Sequence, residues 1–110
     1  MVEHRVSSLD GVFHALADPT RRSILTALAD GVRSVTEIAA PFAMSLAAVS
    51  KHIRVLERAG LVQRTIDGRV HRMELDASPL RAASSWLEAY RRFWEERFDA
   101  LGTLLEEETR

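Results

Sequence analysis

Apolar positions follow two rhythms along this chain, and the change of rhythm marks out its elements. Leu9, Val12, Phe13 and Leu16 recur at three- and four-residue spacing, which predicts a short amphipathic helix after a loose arm over Val2–Ser8. Asp18-Pro19 signals a second start, with Asp as N-cap and Pro at the first helical position, where its missing N–H costs nothing. That helix, Pro19–Ala29, carries Ile24, Leu25 and Leu28 on one face and stops before Asp30-Gly31. Arg21 and Arg22 stand at its start, against the helix dipole, so a carboxylate such as Asp18 or an external acidic partner is expected for at least one of them. Ser34-Val35-Thr36-Glu37 is a capping box opening a short helix that should stop near Phe42–Ala43. Ser45 can cap a longer helix that runs to Ala59 and meets Gly60, suited to the left-handed C-terminal position.

From Leu61 to Asp76 the rhythm shortens. Val62, Thr65, Ile66, Val70, Met73 and Leu75 flank Asp67-Gly68, which predicts a β-hairpin closed by a type I′ turn. From Pro79 the helical rhythm returns, through Leu80, Ala83, Leu87, Tyr90, Trp94, Phe98, Leu101 and Leu105, and predicts one helix unbroken to about Glu107. The expected fold is mainly α with a β-hairpin wing, in the order α-α-α-α-β-β-α: a winged helix-turn-helix in a single domain spanning 1–110. Its parts are an arm and dimerisation helix over 1–16, the helix-turn-helix over 34–60, the wing over 61–76 and a C-terminal dimerisation helix over 79–107.

Composition narrows the function. With 110 residues, 46% hydrophobic and 28% charged, the chain matches one globular domain small enough to gain from dimerisation. No apolar run is long enough to span a membrane, and Met1–Asp10 lacks the pattern of a signal peptide, so a cytoplasmic protein with no membrane partner is expected. The absence of cysteine removes disulfides, thiolate chemistry and every cysteine-based metal site. Net charge is only −1, yet it is segregated. Between Ser45 and Arg72, Lys51, Arg54, Arg58, Arg64, Arg69 and Arg72 stand against Glu57 and Asp67, a balance of +4; from Ala77 to Arg110, five arginines stand against seven acids, a balance of −2. A basic head on an acidic body draws phosphate to one place.

A helix-turn-helix lays its second helix in the DNA major groove. At 100° per residue, Val49, Ile53 and Leu56 share the inner face of that helix, with Leu46 and His52 at its margins. His52 is expected to donate a structural hydrogen bond. Ala47, Lys51, Arg54 and Arg58 lie opposite, with Ala48 and Ser50 at the edges. Ala47 and Ala48 are candidates for thymine methyl contact and Lys51 for guanine acceptors; helix propensity alone explains the two alanines equally well. Ser45, Ser50 and Arg54 are expected to hold phosphate, and Arg64 and Arg69 to reach it from the wing. The apolar stripes of the first and last helices, Leu9, Val12 and Phe13 with Leu87, Tyr90, Trp94, Phe98 and Leu101, exceed what a small head needs to cover. A homodimer is expected, with the last helix folding back on its own head as the rival.

Phe13-His14-Ala15-Leu16-Ala17-Asp18-Pro19-Thr20-Arg21-Arg22, followed by Ile24-Leu25 and Leu28, resembles the opening helices of the ArsR-type (arsenic-repressor-like) winged helix-turn-helix regulators. Ser45, Val49-Ser50-Lys51-His52-Ile53, Leu56 and Ala59-Gly60-Leu61-Val62 resemble their recognition helix and its exit. The resemblance continues through Arg72-Met73-Glu74-Leu75-Asp76 to Trp86-Leu87 and Tyr90-Arg91-Arg92-Phe93-Trp94, a tail like that of a subgroup often encoded beside START-like proteins. It implies a homodimeric, sequence-specific repressor of double-stranded DNA, often acting on its own operon and dimerising through its first and last helices. Metal-sensing members carry cysteine pairs on the first helix of the helix-turn-helix, or His and acidic ligands on the last helix. This chain has no cysteine, no histidine in 77–110, and His4, His14, His52 and His71 on four separate elements, so neither metal nor cofactor is expected. Two alternatives keep the fold: the same dimer gated by a small apolar inducer of unknown identity beside Trp86, Tyr90 and Trp94, and a protein-interaction module that no longer binds DNA. No nucleophile–base–orienter set or phosphate loop points to an enzyme.

Overall fold

The computed structural model describes residues 9 to 108; the arm over Val2–Ser8 and His4 lie outside them. The first two helices, α1 (Leu9–Leu16) and α2 (Pro19–Leu28), meet at a tight corner where Asp18 Oδ2 accepts from the Arg21 backbone N–H at 3.0 Å. That bond, to one of the orphan donors of the α2 N-terminus, holds the Asp18 carboxyl below the usual carboxylate range. The Arg21 charge contributes to holding Asp18 ionised, but among the described residues neither Arg21 nor Arg22 makes a direct ion pair with a carboxylate. Arg21 donates from Nε to the Ala15 carbonyl at 2.7 Å and from Nη2 to that of His14 at 2.8 Å, and Arg22 donates to that of Leu16 at 2.7 Å. Their partners are the orphan carbonyls that close α1, so cations ill placed for their own helix are well placed for the preceding one. Arg33 repeats the device on Ala27, near the end of α2.

A two-residue strand, β1 (Arg33–Ser34), precedes α3 (Val35–Ala39) and was absent from the sequence expectation. It pairs antiparallel with β3 (Val70–Leu75), which also pairs with β2 (Val62–Asp67), giving the strand order β1-β3-β2. Two residues have no side-chain alternation to read, so only the partner strand reveals β1. The capping box forms as the sequence predicts: Glu37 N–H donates to Ser34 Oγ at 3.2 Å and Ser34 N–H to Glu37 Oε1 at 2.8 Å. The helix ends earlier than predicted, at Ala39, two residues before Pro41, which has no N–H with which to continue the ladder.

Ser45 caps the long helix α4 (Leu46–Arg58) through Ala48 N–H at 3.1 Å. Gly60, at φ +76°, ends it in a Schellman motif, Leu61 N–H bonding the Leu56 carbonyl and Gly60 N–H that of Glu57. Val49, Ile53 and Leu56 are buried on one side of α4 and share a core with Ile24, Leu28, Ile38, Leu61 and Met73. In the hairpin, Asp67 pairs with Val70, so the loop residues are Gly68 and Arg69, one position later than predicted. Only Gly68 has positive φ, +63°; a type I′ turn needs it at both positions, and a single glycine at the first is the type II′ requirement.

The predicted single C-terminal helix is two: α5 (Leu80–Glu88) and α6 (Arg91–Glu108). Between them Ala89 and Tyr90 make tight i→i+3 bonds to Trp86 and Leu87, without proline or glycine. Such a turn preserves the three-and-four spacing of apolar residues, so periodicity does not register it. Arg91 braces the junction, bonding Glu88 at 2.9 Å and Glu95 at 2.6 Å. While α5 packs on α1, α6 buries no residue. The radius of gyration is accordingly 18.7 Å, against about 13 Å for a compact chain of this length.

Candidate nucleic-acid interface

Burial of Val49, Ile53 and Leu56 turns the other face of α4 outward. Ala47, Lys51, Arg54 and Arg58 are exposed there, with Ala48 and Ser50 half-buried at its edges. Lys51, Arg54 and Arg69 bond to no other described residue, so their charges are uncommitted. Ser45 is exposed, but its hydroxyl already accepts the capping bond. Leu46, placed by sequence at the inner margin, is half exposed at the first turn of α4 and so joins the outer surface.

His52 reaches the opposite way. Its Nδ1 lies 3.4 Å from Arg21 Nη1 and 3.8 Å from Asp18 Oδ2. A guanidinium only donates, so in this contact the ring nitrogen is the acceptor. The contact ties the inner side of α4 to the α1–α2 corner.

The wing flanks α4 across a cleft of about 680 Å³ lined by Thr36, Ser50, Arg69, His71 and Arg72 among others. Arg69 is exposed at the tip beside Ile66, which is 61% exposed. Arg64 departs from its assigned role. It donates from Nη2 and Nε to Glu57 at 2.6 and 3.0 Å and from Nη1 to His71 Nδ1 at 2.8 Å, so all three guanidinium nitrogens are engaged inside the fold. The Glu57 bonds raise the Arg64 pKa. Strand alternation held the signal: counting from buried Val62, Arg64 shares the face that also carries Met73 on the partner strand. Arg72, counted from sequence in the basic head, is exposed on the outer face of β3.

The second surface is apolar. Phe13 stacks edge-on against Trp86 at 5.8 Å, Trp86 against Tyr90 at 4.9 Å and Tyr90 against Phe93 at 6.2 Å, a ladder from α1 to α6. Leu87, Tyr90, Trp94, Phe98 and Leu101 are between 41% and 68% exposed, while Leu9 and Phe13 are half-buried. Val12 differs from the other expected dimer residues: it is wholly buried within its own chain and has no surface left to offer. No cluster of three or more His, Asp or Glu able to hold a metal ion occurs among the described residues, and no helix there is long and apolar enough to cross a membrane.

A capped helix with an uncommitted basic face, set beside a basic hairpin, defines the winged helix-turn-helix class of DNA-binding transcription regulators. A helix-turn-helix domain model matches residues 16–65. The chain is 43% identical to the HTH-type transcriptional regulator CmtR of Mycobacterium tuberculosis, over 74% of this chain and 69% of that one. It is 37% identical to the HTH-type transcriptional regulator Rv2034 of the same organism, over 92% of both chains, and 30% identical to the transcriptional repressor SdpR of Bacillus subtilis, over 72% and 88%. A solved ArsR family transcriptional regulator, RHA00566, superposes with a TM-score of 0.73 at 41% identity, covering 79% of this chain and 96% of that one. The chain belongs to the ArsR family of winged helix-turn-helix transcriptional repressors, which are DNA-binding proteins and not enzymes.

Proposed function

We propose that this repressor acts in the cytoplasm as a homodimer on a pseudo-palindromic operator, one candidate being the promoter of its own operon. The observation that carries the reading is the outer face of α4, where Lys51 and Arg54 are exposed, without a bond to another described residue, opposite the buried Val49, Ile53 and Leu56. In this reading Ala47, Ala48 and Lys51 meet base edges near the N-terminus of α4, while Ser45, Ser50, Arg54 and Arg69 meet phosphate. The second copy is argued from area. Nine large apolar side chains from Trp86 to Leu105 are each at least 41% exposed, six of them on α6, a helix about 27 Å long in which no residue is buried. Pairing these faces across a two-fold axis would bury them and set two copies of α4 against half-sites roughly one helical turn, ~34 Å, or a multiple of it, apart.

The test is fluorescence anisotropy on DNA from the chain's own promoter across a salt series, combined with sedimentation. Dimeric protein whose affinity falls steeply with salt and favours a two-fold site supports the reading. A monomer footprinting one half-site rejects the architecture, and salt-independent or absent binding rejects the DNA face.

A further inference from the structure

Glu57 occupies the last turn of α4, at the negative end of the helix dipole, where a carboxylate is locally unfavourable. What offsets this is Arg64, received by both carboxylate oxygens at 2.6 and 3.0 Å, with its third nitrogen on His71 Nδ1 at 2.8 Å. The three residues come from α4, β2 and β3, so one planar cation bolts both strands of the wing to the helix beside it. The pair is about a quarter exposed, 23% and 27%, and pairs that open add little to global stability. A bidentate guanidinium–carboxylate contact does, however, fix direction.

We propose that Glu57, Arg64 and His71 form a strut that sets the pitch of the wing against the recognition helix, so that Arg69 meets phosphate only while the strut is intact. The inference rests on the DNA-binding reading above and makes Arg64 a positioning residue rather than a DNA contact. Geometry supplies the lever. Val62 packs the base of the hairpin into the core, and Arg69, in the turn that follows the Asp67–Val70 pair, lies four residues from Met73, the cross-strand partner of Arg64, or roughly 12 Å further along the hairpin. A tilt of about 10° at Arg64 displaces that tip by ~2 Å, enough to break a hydrogen bond.

The test combines DNA binding with a measurement that needs no DNA. In the otherwise unaltered chain, Arg69→Ala should flatten the salt dependence of DNA affinity by about one unit. In Glu57→Gln or Arg64→Met backgrounds the same substitution should change it by much less, and Arg64→Lys should not restore the coupling, because an ammonium cannot make the bidentate contact. Glu57→Gln alone should weaken binding even though it removes a negative charge near DNA. In the free protein, amide exchange over 66–70 should speed up in Glu57→Gln while α2 amides keep their protection. Three results overturn the strut: an Arg69→Ala effect that is the same in every background, tighter binding by Glu57→Gln, or unchanged hairpin exchange. If the unaltered chain shows no salt-dependent DNA binding, the functional reading fails by itself, and the exchange measurement still decides the strut.

Discussion

Arg21 and His52 meet across 3.4 Å, and through this contact the end of α1 is joined to the inner side of α4, the helix proposed to face DNA. The same guanidinium satisfies the carbonyls of His14 and Ala15. Substituting Arg21 therefore strips two helix-terminal acceptors and one ring nitrogen of their donor at once. Arg21→Ala should lower stability by about 2–3 kcal/mol, within the range for hydrogen bonds to charged groups, read as a fall in the thermal midpoint. Arg21→Lys should recover only part of it, because one ammonium cannot span three acceptors in the plane of a guanidinium. Full recovery by lysine would show that charge, not the fork, matters at this corner.

Lys51 is exposed on the outer face of α4 with no bond to another described residue. Lys51→Ala should cost ~1–3 kcal/mol at the operator and relax the preference for one base pair in each half-site. Equal weakening on matched and scrambled DNA would make it a phosphate contact instead.

Phe98 is 68% exposed near the middle of α6, which buries nothing in its own chain. Phe98→Asp should convert a dimer to monomers in sedimentation and weaken operator binding, while the far-ultraviolet helix signal persists. A Phe98→Asp dimer of unchanged affinity would place the partner face elsewhere.

The capping box at Ser34 ties stability to acid. Its hydrogen bonds, the Ser34 backbone N–H first, hold the Glu37 carboxyl below its ordinary 4.5. A carboxyl more acidic in the folded chain than in the unfolded one stabilises fully above the unfolded value and loses that contribution as pH falls through the folded value. Thermal midpoints of the unaltered chain should therefore fall below pH 4.5, and those of Glu37→Gln should fall less over the same window. Ser34→Ala, which removes the reciprocal acceptor, should cost about 1 kcal/mol at neutral pH. Parallel pH curves for Glu37→Gln and the unaltered chain would remove Glu37 from the account.

Short-range chemistry was legible in the order of residues. The Asp18, Ser34 and Ser45 caps, the Gly60 exit and the buried triplet Val49, Ile53 and Leu56 are each decided within a few neighbouring positions, where caps and helical periodicity operate. The likeness to a known regulator family was legible for the same reason, since its motifs are these local signals in a fixed sequence.

What tertiary structure decided is where each charge goes. Sequence marks Arg21 and Arg22 as ill placed at a helix start, and strand alternation puts Arg64 on the inner face of the hairpin, but it does not name the acceptors of any of the three. Folding turns these three onto helix-terminal carbonyls and onto Glu57, and leaves Lys51 and Arg69 without a bond to another described residue. The strand β1 and the break at Ala89–Tyr90 were hidden for a related reason, one needing a partner strand and the other leaving the apolar rhythm intact. Local pattern determined the helices and the hairpin, because their bonds close within a few residues. The commitment of an arginine is settled by acceptors that only the packed chain brings within 3 Å, and that selection separates the residues that hold the fold from those proposed to meet DNA.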